Sequence, residues 1–299
     1  GPNAGEGNVI AGGVTSTGVH LGRQTNLAVT HPSGNSTVEG NTIGLSTSNA
    51  RLNGGTGIDI SSAGNQIVGN VVAGNGSTVL PPVFASGIRM SGGYTNFNSI
   101  RGNTIGTNLA GAGGLGNNGS GVMIRGGSNN TIGGINPGDR NVIVGNAANG
   151  GVEFYAFSGD VMTGNTIQGN YIGVLPNGTA IPNQTGIRIY ANPAGGPPGG
   201  PIVPAGIISG STIGGSDPAA RNVISGNAGD GINLGGVGTT NNTIAGNYIG
   251  TTIDGLQALP NTGSGVALSE GGGNTVGGAN ARDGNLIAFN GSRGVVVFS

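Results

Sequence analysis

The sequence predicts an all-β fold, a right-handed single-stranded parallel β-helix, which is a solenoid of about nine coils with three short strands each. Three observations predict it. Three short apolar patterns return in a fixed order along the 299 residues, glycine is very frequent at 69 residues, and only 7% of the residues are charged. Glycine in this amount, without a Gly-X-Y period, indicates many tight turns between short strands.

The first pattern, strand A, is Asn/Ser-Thr-Ile/Val, and it recurs at intervals of roughly 30–45 residues. Its central aliphatic residues are Val38, Ile67, Ile100, Ile132, Ile167, Ile213, Ile244 and Val276. Because side chains alternate across a strand, these residues face one side and their neighbours face the other. We therefore expect the aliphatic column to line the interior of the solenoid.

The other two patterns follow strand A in order. Strand B is Asn-x-Ile/Val, centred on Ile10, Ile43, Val72, Ile105, Ile143, Ile172, Ile224, Ile249 and Ile287. Strand C is Gly-Val/Ile-x-aliphatic, beginning at Gly18, Gly57, Gly87, Gly121, Gly151, Gly186, Gly231, Gly265 and Gly294. Each coil can bury its inward side chains only by stacking on the next, so equivalent residues become neighbours about 4.8 Å apart in parallel sheets.

Asparagine opens strand B in every coil. The residues are Asn8, Asn41, Asn70, Asn103, Asn141, Asn170, Asn222, Asn247 and Asn285. Stacked amides can each donate a hydrogen bond to the next carbonyl, so we predict an asparagine ladder, with a second and imperfect one opening strand A. Glycan attachment or sugar contact is the alternative role for these asparagines.

We expect residues 1–299 to form one β-helix domain that is a fragment of a longer protein with uncapped ends. Gly1–Asn8 matches Gly134–Asn141 in length, so the chain begins in the middle of a coil and in phase with the repeat. Val295–Phe298 is a strand C with nothing after it. The longest insertion, Asn192–Gly206 with five prolines, is predicted to be a surface loop.

Composition excludes several classes of partner. A net charge of −1 with no lysine argues against nucleic acid, which requires a basic surface. The absence of cysteine excludes disulfides and thiolate metal sites, and no calcium-binding repeat is present, so we predict no metal and no cofactor. No apolar run reaches the length of about 18 residues that insertion into a membrane requires.

The repeat resembles the right-handed parallel β-helix repeat proteins of the pectate-lyase-like superfamily, and in particular repeat segments of large secreted bacterial surface proteins. The resemblance is carried by phrases such as Asn222-Val223-Ile224-Ser225-Gly226-Asn227 followed by Gly231-Ile232-Asn233-Leu234. It implies a secreted or cell-surface location, with flanking repeats as neighbours. The fold carries lyases, hydrolases, epimerases, tailspikes and adhesins, so the resemblance does not choose among these functions.

The outward residues of strand C form two columns in which the scarce charges concentrate. The first column is His20, Asp59, Arg89, Met123, Glu153, Arg188, Asn233, Ala267 and Val296. The second is Gly22, Ser61, Ser91, Arg125, Tyr155, Tyr190, Gly235, Ser269 and Phe298. Stacking therefore brings separate parts of the sequence together as two candidate clusters.

The stronger candidate for carbohydrate binding consists of Arg125, Glu153, Tyr155, Arg188 and Tyr190, because aromatic faces beside planar hydrogen-bonding groups suit a sugar ring or an acidic saccharide. The simpler interpretation is that Glu153 and Arg188 form a cross-strand ion pair on a solvated face.

The weaker candidate consists of His20, Asp59 and Arg89, in which His20 could act as a general base oriented by Asp59. An incidental surface ion pair between Asp59 and Arg89 is the simpler interpretation.

Two further outward rows lie on strands A and B. The row on strand A, which is mostly threonine, resembles the ice-binding faces of some solenoids, although threonine is also a favoured strand residue. It contains Thr37, Gln66, Ser99, Thr131, Thr166, Thr212, Thr243 and Thr275. The row on strand B is apolar, and we expect the long insertions between strands B and C to cover it.

The sequence favours a structural or adhesive β-solenoid segment of a secreted or cell-surface bacterial protein, contacting a polysaccharide or cell-surface glycan. The alternative is a polysaccharide lyase, glycoside hydrolase or epimerase acting on the outer face of strand C, and the third hypothesis is ice binding through the threonine row. Catalysis is less favoured because the sequence has no local pair of carboxylates of the kind that glycosidases use. It also lacks the Asn-Thr-Asp, Gly-His-Gly and Arg-Ile-Lys signatures of polygalacturonases.

Overall fold

The computed structural model describes residues 7–13, 16–22, 34–51, 53–76, 85–195 and 200–298, and within them it is a parallel β-solenoid. Every strand pairing in its sheets is parallel, and each strand pairs with the equivalent strand one coil away. The predicted fold class is therefore confirmed. The part of the expected mid-coil start that falls on residues 1–6, and residues 196–199 of the proline-rich insertion, lie outside the described residues.

Three long sheets correspond to the three predicted strands. Sheet A contains Thr37–Glu39, Gln66–Val68, Ser99–Arg101, Thr131–Gly133, Thr166–Gln168, Thr212–Gly214, Thr243–Ala245 and Thr275–Val276. Sheet B contains Val9–Ile10, Thr42–Ile43, Val71–Val72, Thr104–Ile105, Val142–Ile143, Tyr171–Ile172, Val223–Ile224, Tyr248–Ile249 and Leu286–Ile287. Sheet C contains Val19–Leu21, Ile58–Ile60, Ile88–Ser91, Val122–Arg125, Val152–Ala156, Ile187–Ala191, Ile232–Gly235, Val266–Ser269 and Val295–Phe298.

A short fourth sheet, sheet D, was not predicted. It stacks Val161–Thr163, Ile207–Ser209 and Thr239–Thr240 between strand C and strand A of three coils. Two short 3-10 turns, Pro137–Asp139 and Pro218–Ala220, lie between strands A and B where that connection is long. These additions widen single coils without disturbing the three long sheets.

The aliphatic columns form one continuous core. In sheet A, Ile132 pairs with Ile167 and Ile167 with Ile213, and all three side chains are fully buried. The large buried side chain of Phe154 enters the same core from sheet C. At roughly 1.5–3 kcal/mol for each buried aliphatic side chain, this column supplies the main stabilisation of the solenoid.

Asparagine ladders stabilise the corners. In the ladder that opens strand B, each Nδ2 donates to the Oδ1 of the next asparagine over 2.9–3.2 Å. The ladder that opens strand A is interrupted by serine at Ser36 and Ser211, which donate only their backbone N–H to the next asparagine. Both predictions are confirmed, and the amides have a structural role.

A third ladder, before strand C, was missed. It runs through Asn53, Asn75, Asn117, Asn146, Asn183, Asn227, Asn261 and Asn290, with side-chain hydrogen bonds of 2.8–3.0 Å. The insertions after strand B place these asparagines at unequal sequence distances from strand B. Five of them nevertheless stand four residues before the glycine that begins strand C, and that spacing could have revealed most of the ladder.

The insertions cover the outward face of sheet B, as expected, in the middle of the solenoid. Tyr171 and Val223 are buried against Val174 of an insertion, with Ile253 and Leu259 packed on the same cluster. Arginine side chains complete this layer by lying over tyrosine rings, as in the 4.3 Å stack of Arg140 on Tyr171. Leu286, in the last coil, stays 37% exposed.

The threonine row stacks in register along the outside of sheet A. The successive Cα partners in this row are Thr131, Thr166, Thr212, Thr243 and Thr275.

Among the described residues, no helix is long and apolar enough to cross a membrane. No group of three or more side chains in that part of the chain is placed to hold a metal ion.

Candidate functional site

A cavity of about 320 Å³ opens on the outer face of sheet C. We call it the Tyr155 pocket, and it is lined by Met123, Arg125, Asn149, Glu153, Tyr155, Phe157 and Arg188. The register of three coils creates it, because Met123 pairs with Glu153 and Glu153 pairs with Arg188. Four of the five residues of the stronger predicted cluster therefore line one cavity.

The floor of the pocket is a buried ion pair. Glu153 Oε1 accepts a hydrogen bond from Arg188 Nη1 at 2.7 Å, and Glu153 Oε2 accepts one from Ser120 Oγ at 2.6 Å. The side chain of Glu153 is only 1% exposed, whereas that of Arg188 is 28% exposed. The interpretation of this pair as two ions on a solvated face is therefore wrong, because Ser120 and the neighbouring strands remove the carboxylate from water.

The wall of the pocket is aromatic. The ring of Tyr155 stacks on that of Tyr190 with centroids 6.0 Å apart, and meets the ring of Phe157 edge to face at 4.9 Å. Tyr155 Oη donates to Asn192 Oδ1 at 2.8 Å, which ties the wall to the proline-rich insertion. Tyr190 supports the wall from behind. Phe157 was not predicted as a site residue, although continuing the two-residue alternation from Glu153 and Tyr155 leads to it.

Two guanidinium groups lie against these rings. Arg125 Cζ is 4.3 Å from the centroid of Phe157, and Arg188 Cζ is 5.0 Å from that of Tyr190. Burial, followed by the positive charge of Arg89, lowers the pKa of Arg125 from its usual value, while nearby acidic groups oppose the shift. Both arginines thus present charged, planar donors at the rim of an apolar wall.

The weaker cluster lies near the start of the same face. His20 and Asp59 are Cα partners, with Nδ1 and Oδ2 3.3 Å apart. Asp59 Oδ1 accepts a hydrogen bond from Arg89 Nε at 2.8 Å, and Arg89 is its partner in the next coil. Asp59 is 9% exposed, so only His20, whose side chain is 50% exposed, is freely accessible.

Comparison with known proteins gives a likeness at the level of fold. No protein-family model and no curated protein matches the chain. The crystal structure of the Dettilon tailspike protein (gp208) is similar with a TM-score of 0.51 and 15% identity, over 87% of this chain and 47% of that one. The structure of the periplasmic alginate epimerase AlgG aligns with a TM-score of 0.23 and 13% identity, over 82% of this chain and 62% of that one.

This chain thus spans about half the length of the tailspike protein that it matches. At this low identity the likeness concerns the fold alone. It agrees with the register of the strands, in which every coil repeats the same three sheets. The chain therefore has the fold of a right-handed parallel β-helix.

Proposed function

We propose that the chain is a structural or adhesive β-solenoid segment of a secreted or cell-surface protein, and that it binds carbohydrate in the Tyr155 pocket. The observation that carries the proposal is the arrangement of that pocket, where an aromatic wall and two arginines surround a concave site on a rigid sheet. Sugar rings stack on aromatic faces, and planar donors bind their hydroxyl groups in pairs.

The pocket is organised before any ligand arrives. Ser120 holds the carboxylate of Glu153, which in turn holds the guanidinium of Arg188, and Asn192 holds the hydroxyl of Tyr155. Binding groups that are fixed in advance lose little conformational entropy when a ligand docks. The cavity is at the small end of the usual range for ligand pockets, about 300–1,000 Å³, which suits a single sugar residue of a longer polymer.

The charge of the lining favours an acidic saccharide. Arg125 and Arg188 contribute two positive charges and Glu153 contributes one negative charge, so the formal charge of the lining is +1. Glu153 already neutralises Arg188 from below, through its buried carboxylate. A uronate or similar carboxylate would therefore complement the net charge of the lining.

A binding experiment tests the proposal. We expect removal of both aromatic rings, Tyr155→Ala with Phe157→Ala, to weaken binding to acidic polysaccharides at least tenfold, which corresponds to about 1.4 kcal/mol. Glycan arrays and polysaccharide pull-downs would measure the change. Tyr94→Ala is the matched control, because Tyr94 is a 72% exposed tyrosine that does not line the pocket.

The charge of the pocket is tested separately. Arg125→Gln should reduce binding to uronate-rich polymers more than binding to neutral ones. Equal binding by the double variant, the Tyr94 control and the native protein would show that the pocket does not contact carbohydrate.

Cleavage of a polysaccharide in the same pocket is not favoured by this geometry. Both carboxylate oxygens of Glu153 accept hydrogen bonds, and its side chain is buried. Such a carboxylate is suited to hold Arg188 in place, whereas proton transfer to a substrate requires an accessible group.

A further inference from the structure

A serine lies beside the His20–Asp59 pair. Ser61 follows Asp59 by two residues on the same outward face of sheet C, and His20 is the Cα partner of Asp59. Gly22 has no side chain, and a Cβ built on it would lie 1.8 Å from Ser61 Oγ and 2.7 Å from His20 Nε2. Ser61 Oγ and His20 Nε2 therefore border the same small space. The distance between them is at most the sum of the two distances to that Cβ position.

The histidine is held from its other side. Asp59 Oδ2 is 3.3 Å from His20 Nδ1, and Asp59 Oδ1 is bound by Arg89 Nε at 2.8 Å. A carboxylate beside Nδ1 favours the tautomer with its proton on that nitrogen, which leaves a lone pair on Nε2, the nitrogen that borders the same space as Ser61 Oγ. Ser61, His20 and Asp59 are thus in the order of nucleophile, base and orienting acid.

We propose that Ser61, His20 and Asp59 form a site that hydrolyses carboxylic esters, with O-acyl groups of saccharides as the substrate class. Ser61 Oγ attacks the ester carbonyl while His20 Nε2 takes the hydroxyl proton, and collapse of the adduct breaks the bond to the alcohol oxygen. The alcohol leaves with the proton from His20. Water then attacks the acyl-serine with the same base, releasing the carboxylic acid and restoring Ser61.

The remaining charged neighbour has a positioning role. Arg89 pairs with the oxygen of Asp59 that does not face His20, so it fixes the carboxylate without competing for the imidazole. This site lies in the first coils of sheet C and shares no residue with the Tyr155 pocket. The proposal therefore stands independently of carbohydrate binding in that pocket.

Covalent labelling tests the site. A fluorophosphonate probe should phosphonylate Ser61 in the native protein, as shown by mass spectrometry of the modified peptide, and p-nitrophenyl acetate should be hydrolysed. Ser61→Ala should abolish both. His20→Gln should slow both by about a hundredfold or more, the usual contribution of a general base. Because His20 is half exposed, this change leaves the fold intact.

Ser91→Ala is the matched control. Ser91 occupies the equivalent outward position one coil further on, where Arg89 stands two residues before it in place of an aspartate. The control variant should be labelled at Ser61 and should hydrolyse ester at the native rate. No labelling of Ser61 in the native protein, or labelling at an unchanged rate in His20→Gln, would overturn the proposal.

Discussion

Replacing Arg188 with alanine is expected to lower the free energy of unfolding by about 3–5 kcal/mol, because it leaves a buried carboxylate without its cation. Glu153 would keep its hydrogen bond from Ser120 and a longer-range attraction to Arg125. The side chain of Glu153 is 1% exposed while Arg188 covers it, so the variant leaves the carboxylate unpaired on the floor of the pocket. Urea unfolding followed by circular dichroism would measure the loss.

Two companion variants make this result specific. Arg101→Ala removes an arginine whose side chain is 39% exposed, which binds Gln66 and lies 3.6 Å from Asp139, and it should cost no more than about 1 kcal/mol. Adding Glu153→Gln to Arg188→Ala removes the unpaired negative charge of Glu153, and it should restore much of the lost stability. If Arg188→Ala costs no more than Arg101→Ala, the carboxylate of Glu153 is hydrated and the description of the pocket floor is wrong.

Replacing Asn170 with alanine is expected to cost about 3–6 kcal/mol, because several buried groups lose their partners together. Asn170 Oδ1 accepts from Asn141 Nδ2, and Asn170 Nδ2 donates to Asn222 Oδ1 and to the carbonyl of Ile132. Each buried polar group left without a partner costs about 1–3 kcal/mol. The free energy of unfolding in urea is again the measurement.

Asn177→Ala is the control for this prediction. Asn177 is exposed, and its side chain accepts a single hydrogen bond, from Thr179 N. Its replacement should change stability by less than about 0.5 kcal/mol. Equal stability of the two alanine variants would mean that the ladder contributes nothing to the fold.

Much of the fold could be predicted because the inward positions are chemically uniform. An apolar residue, usually aliphatic, recurs at equivalent inward positions, as at Ile167 and Ile213, whatever the length of the insertion between them. The parallel register then follows, since only direct stacking buries every member of the column.

What could not be predicted depends on chain segments without a repeat. Sheet D involves only three coils, and its paired residues, such as Val161 and Ile207, follow no pattern that recurs elsewhere. Most of the third asparagine ladder could have been predicted from its spacing to strand C, but Asn75, which binds Asn53, is separated from Gly87 by an insertion. An insertion of this kind hides an equivalent residue from a search for equal spacing.

The site shows the same division. The columns of sheet C brought Glu153 and Arg188 together from sequence alone, and the structure has the same pairing. The burial of Glu153 depends on Ser120, which precedes strand C, and on side-chain packing that the aligned sequence repeats do not show. Ser61 likewise stood in the predicted second column, but only side-chain positions place it beside His20 Nε2.

The central claim is that equivalent residues of consecutive coils lie directly side by side, and engineered disulfides test it most directly. The chain has no cysteine, so Thr166→Cys with Thr212→Cys creates one pair of thiols at Cα partners of sheet A. Thr131→Cys with Thr212→Cys gives a pair two coils apart, beyond the reach of about 7 Å between Cα atoms that a disulfide allows. The stacked register predicts a disulfide under mild oxidation in the first pair only. Cross-linking of the second pair, or of neither, would contradict it.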